Sequence, residues 1–171
     1  MLDNLVQGAL VDLFQAYGVA LAPLPRAGAE AQRSAHVSAA ISFSSARDQT
    51  GPVVSGRLTI ALPPEVLELM KHDATHGSRQ ADWTRELVNQ LMGRIKNRLL
   101  VFGVNLQAGL PASVGRELLD AQLERASGLR VYRGRTLRGD IVATLEGTLK
   151  DSELIYRGHA SNASEGELII F

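Results

Sequence analysis

The stretch Asp82-Trp83-Thr84-Arg85-Glu86-Leu87-Val88-Asn89-Gln90-Leu91-Met92-Gly93-Arg94-Ile95-Lys96-Asn97-Arg98-Leu99 decides how this chain is read. Advanced by ~100° per residue, as an α-helix requires, Trp83, Leu87, Val88, Leu91, Met92, Ile95 and Leu99 fall on one stripe. Such a stripe is a core face. Asp82, Glu86, Asn89 and Gly93 gather on the opposite side, where residues three and four apart are neighbours. Asp82 is placed to act as N-cap, so the helix is predicted over 82–100. Glycine inside a helix costs about 1 kcal/mol relative to alanine. One reason to tolerate Gly93 is that another molecule approaches the backbone there. Taken on physics alone, the simpler reading is that Glu86 and Asn89 are solvated surface residues and Gly93 is incidental.

Working outward, residues His36 to Phe43 alternate between apolar and small polar side chains, the period of a half-buried strand. A turn cluster at Asp48 to Pro52 and a second extended run at Val53 to Leu62 complete a hairpin. Pro63-Pro64-Glu65 opens a short helix, since proline suits a first helical turn. His72 to Gln80 is polar and reads as a loop. Val104 to Ala108 is a further strand, halted at Gly109-Leu110-Pro111, and Arg116 to Ala126 a further helix ended by Gly128. Leu129 to Tyr132, Asp140 to Leu149, Leu154 to Arg157 and Leu168 to Phe171 are predicted as strands of a meander. At the start, Leu2, Leu5, Val6, Ala9, Leu10, Leu13 and Phe14 follow one helix face, and Pro23-Leu24-Pro25 ends that segment in a loop. Helices mixed with hairpin-connected strands predict one α+β domain over 1–171, a largely antiparallel sheet packed by helices.

Composition narrows the function. The 171 residues are 45% hydrophobic and 21% charged, the balance of a globular domain rather than a disordered chain or a rod. Lys+Arg and Asp+Glu both number 18, so no excess basic charge points to nucleic acid or an anionic membrane. No apolar run reaches the ~20 residues needed to span a bilayer. Met1 to Tyr17 holds no Lys or Arg and so lacks the basic start of a secretory leader. Cysteine is absent, which excludes disulfides, thiol nucleophiles and Cys-ligated metals. A cytoplasmic protein is expected.

The segment Glu86-Leu87-Val88-Asn89, then Met92-Gly93, then Gly109-Leu110-Pro111, resembles the signature helix and following strand of the CheX/CheC chemotaxis phosphatases. Asp82, Glu86, Asn89 and Pro111 match that pattern in order, and the hairpin over 37–62 followed by Pro63-Pro64 resembles the family's strand pair. The match is good over Val37 to Gly115 and loose on the flanks. Members usually carry Asn after the helix glycine, where this chain has Arg94, and CheC-type members carry a second motif in their first helix, absent here. The single copy resembles the CheX type, which commonly forms homodimers.

The resemblance implies hydrolysis of the aspartyl phosphate on a phosphorylated CheY-like response regulator. Glu86 and Asn89 are the implied catalytic pair, with Asp82, Gly93 and Pro111 in partner docking. Mg²⁺ is expected on the response regulator and no metal or other cofactor on this chain. A non-catalytic adaptor or flagellar-switch-type docking module of the same fold is the alternative, favoured by Arg94 as retention of Glu86 and Asn89 favours the enzyme.

Other motifs carry less. His72 and His76 echo the zincin spacing, but Asp73 stands where a general-base Glu belongs and no third ligand follows. Arg138-Gly139-Asp140 spells an adhesion tripeptide and reads as a turn before a strand. Gly51 to Gly56 lacks the spacing of a nucleophile elbow. Arg130, Arg133, Arg135 and Arg138 read as a solvated strand face.

Overall fold

The computed structural model describes residues 1–25, 36–45, 53–70, 78–124 and 128–157. The hairpin 37–62 is present as β2 (Val37–Ser45) and β3 (Ser55–Leu62), antiparallel from Val37↔Leu62 to Ser44↔Ser55. Two strands of similar length, β6 (Leu129–Thr136) and β7 (Gly139–Gly147), extend the sheet through β3. At the edges lie β1 (Ala22–Leu24) on β6, and β4 (Leu106–Ala108) and β5 (Ala112–Ser113) on β2. The order is β1-β6-β7-β3-β2-β4, with β5 beside β2, and every pairing is antiparallel.

Alternation along the strands decides which face meets the helices. Ala39, Ile41 and Phe43 of β2, Leu58, Ile60 and Leu62 of β3, and Ile141, Ala143 and Leu145 of β7 share one buried cluster. Against it lie α1 (Leu2–Ala16), through Leu2, Val6, Ala9, Leu10, Leu13 and Phe14, and α3 (Ser78–Leu100). The short α2 (Pro64–Leu69) starts after Pro63 as expected and seats Val66 and Leu67 in the same cluster. Ala40, Ala61 and Val142 on the other sheet face are also buried, as is Leu119 of α4 (Arg116–Glu124). Phe43 lies over Gly56, where a Cβ would meet its ring at 2.5 Å and the Glu146 carbonyl oxygen at 2.2 Å. Only glycine fits there.

Several expectations need correction. The helix begins at Ser78, so 78–80 is not loop and Asp82 lies inside the helix, not at its cap. Arg79, Gln80 and Ala81 are good helix formers, and the Thr84 hydroxyl donates to the Gln80 carbonyl at 2.7 Å. Pro23 sits within an edge strand, opposite Gly134, where a missing N–H does not break the ladder. Leu154 to Arg157 is not a strand; it follows a 3-10 turn, Asp151–Glu153. The arginine run is ion-paired, not simply solvated: Arg130 reaches Asp3 of α1, and both Arg133 and Arg135 reach Asp140. The turn at 48–52, the His72/His76 pair and the strand at 168–171 lie outside the described residues.

Candidate functional site

The seven apolar residues of the α3 stripe fall where the periodicity puts them. Leu87, Val88, Leu91, Met92, Ile95 and Leu99 are buried, and Trp83 packs half-buried at the margin. Burying that face against β2 and β3 turns the opposite strip outward. Asp82, Glu86, Asn89 and Gly93 are all exposed on it. The strip runs about 16 Å along the helix at 1.5 Å per residue.

Each member has a different setting. Asp82 forms an ion pair with Arg85. Glu86 Oε1 accepts a hydrogen bond from Gln90 Nε2 at 2.9 Å. Gln90 Oε1 accepts in turn from the Tyr17 hydroxyl at 2.8 Å, and the Tyr17 ring stands edge-on to Trp83, 5.5 Å between centroids. Asn89 has no side-chain hydrogen bond among the described residues. A Cβ built on Gly93 would meet nothing within 4 Å, so the chain's own packing does not demand glycine there. Pro111 is not on this helix. It sits in the edge loop between β4 and β5, beside Leu110, which is 92% exposed, and β5 runs next to α3.

Gln90 and Tyr17 were not among the residues singled out from sequence. Gln90 is four residues from Glu86, a spacing at which helix side chains meet. Tyr17 comes from the end of α1, 73 residues away in the chain, and nothing local signals its arrival.

Chemically, the strip offers two carboxylates that only accept and a carboxamide that both accepts and donates. It has no nucleophile with a general base beside it. Among the described residues, no three His, Cys, Asp or Glu side chains are grouped to hold a metal ion, and no helix is long and apolar enough to cross a membrane. Farther off, the Arg138-Gly139-Asp140 tripeptide is a turn running into β7. Asp140 is buried and takes two hydrogen bonds from Arg135, at 2.8 and 3.1 Å, so it is not offered to a receptor.

No protein-family model and no curated protein sequence matches the chain. Solved structures do. The chemotaxis protein CheX from Vibrio vulnificus superposes with a TM-score of 0.64 at 14% identity, over 86% of this chain and 97% of its own. A CheC-like superfamily protein from Shewanella sp. PV-4 gives a TM-score of 0.64 at 16% identity, over 86% and 97%. A chain of the CheX–CheY–BeF3–Mg complex from Borrelia burgdorferi gives 0.52 at 13% identity, over 86% and 96%. With its antiparallel sheet and flanking helices, the chain has the α+β fold of the CheX and CheC chemotaxis proteins.

Proposed function

We propose that this chain docks a phosphorylated CheY-like response regulator on the outer face of α3 and accelerates hydrolysis of its aspartyl phosphate. The observation that carries the reading is the pairing of Glu86 with Asn89, exposed together one turn apart on a helix whose other face is core. The fold supports it, since a neighbour of that fold is crystallised with CheY.

The chemistry asks little of the catalyst. An acyl phosphate is already activated, so a water held in line and support for the developing charge suffice. No covalent intermediate on this chain is needed. Asn89, free to move into a cleft, accepts a hydrogen bond from the attacking water and directs the water's lone pair at phosphorus. Glu86 pairs with a lysine of the regulator and sets the register of docking. Gly93 lets the regulator's loops lie on the helix backbone, with Asp82 and Pro111 at the margins of the contact. Mg²⁺ belongs to the regulator. The site works in the cytoplasm, and the chain acts as a homodimer, which light scattering checks as twice the 18.4 kDa chain mass.

The test is the decay of a phosphorylated CheY-like regulator with and without this protein. Acceleration that Asn89→Ala removes is the expected result. Binding without acceleration identifies a non-catalytic docking module and overturns the phosphatase reading.

A further inference from the structure

The relay from Tyr17 through Gln90 ends on one oxygen of Glu86, and its polarity is fixed by chemistry. An ionised carboxylate can only accept, so Gln90 presents its NH2 to Glu86 and its carbonyl oxygen to Tyr17, which therefore donates. Each bond polarises the next toward the carboxylate. The phenol is held twice, by its hydroxyl on Gln90 and by its ring against Trp83. Among the described residues, Glu86 Oε2 has no partner.

We infer that Tyr17 and Gln90 are positioning residues of the docking site: they hold Glu86 Oε1 so that Oε2 is presented, in one orientation, to a cationic side chain of the partner. This rests on the docking reading above. A glutamate free on a helix surface samples many rotamers and must be ordered when the partner arrives. Here the ordering is done beforehand by Gln90 of the same helix, itself anchored by Tyr17 at the end of α1. The relay makes the C-terminal end of α1 part of the site.

Binding to a CheY-like regulator activated with beryllofluoride and Mg²⁺ is measured by titration, alongside turnover of the phosphorylated form. Tyr17→Phe keeps the ring and removes the hydroxyl; Gln90→Met keeps the length and removes both hydrogen bonds. Each raises the dissociation constant about three- to tenfold, the cost of ordering one long side chain when the partner arrives, and leaves the turnover rate at saturation unchanged. In a Glu86→Ala background neither substitution has a further effect, because its route to the partner is gone.

An unchanged affinity in Tyr17→Phe overturns the inference, as does a weakening that persists undiminished when Glu86 is already Ala. Wild-type protein that binds the regulator without speeding its dephosphorylation overturns the phosphatase reading alone, and the relay is still read from binding. Wild-type protein that does not bind overturns both.

Discussion

Glu86 accepts a hydrogen bond from Gln90 at 2.9 Å, four residues along the same helix. Asn89, between them in sequence, has no side-chain partner among the described residues. One group of the pair is held by the fold and the other is free to be held by something else. That division suits a site in which one side chain fixes register and its neighbour enters a cleft.

Gly93→Ala separates the needs of the fold from those of docking. With open space around the missing Cβ, alanine should stabilise the protein by about 1 kcal/mol through helix propensity alone. Urea unfolding reads this as a raised midpoint at unchanged slope. The same variant should bind the regulator more weakly. Gly56→Ala is the contrast: its Cβ would collide with backbone of β7, and the protein should be destabilised.

Asn89→Ala should leave stability unchanged or slightly raised, since the residue is exposed and alanine is the better helix former. Leu91→Ala, two positions on, removes a fully buried side chain and should cost about 2–5 kcal/mol. Parallel denaturation curves check the pair. A stability loss in Asn89→Ala would mean the amide supports the fold.

Glu86→Lys should abolish docking while the chain still folds, because an exposed charge is reversed. The wild-type affinity should also fall as salt rises, as for any solvent-accessible charge pair. Titrations at low and high ionic strength check both. An affinity indifferent to salt and to the sign at position 86 would contradict the assigned role.

Stability should decline in acid through two carboxylates far from the site. The Arg135 hydrogen bond holds Asp140 below its ordinary value of 3.8, against an opposing effect of burial. Asp151 is lowered first by the Leu2 backbone N–H and then by the N-terminal ammonium. A carboxyl depressed on folding contributes stability that is present above its unfolded pKa and lost as pH falls through its folded one. The loss therefore sets in below pH 3.8. Asp140→Asn should flatten the acid limb of a stability–pH curve; an unchanged limb would show the ion pair contributes nothing.

Much of the site was legible in the sequence because it depends on local periodicity. The seven apolar positions of α3 fix which way Glu86 and Asn89 point, and the 37–62 hairpin was visible as period-two alternation. What stayed hidden depends on distant partners. Ala22–Leu24 is a strand only because β6 offers its edge, against proline's own preference. Ala112–Ser113 is too short to show a period and is defined by pairing with Ala39 and Ala40. Asp82 looked like a cap since His72 to Gln80 is polar, yet Arg79 and Gln80 propagate a helix as well as apolar residues do. The arginines of β6 read as solvated until Asp3 and Asp140 arrived from other elements. Tyr17 reached Gln90, the partner of Glu86, by the same kind of long-range meeting.

The most direct measurement is the first-order decay of a phosphorylated CheY-like regulator in the presence of wild-type protein and of Asn89→Ala. Wild type should shorten the phosphoryl lifetime, and Asn89→Ala, still folded and still bound, should return it close to the unassisted value, a decay rate lower than with wild type by about 10²-fold if water positioning is lost. Equal lifetimes with the two proteins would contradict the account.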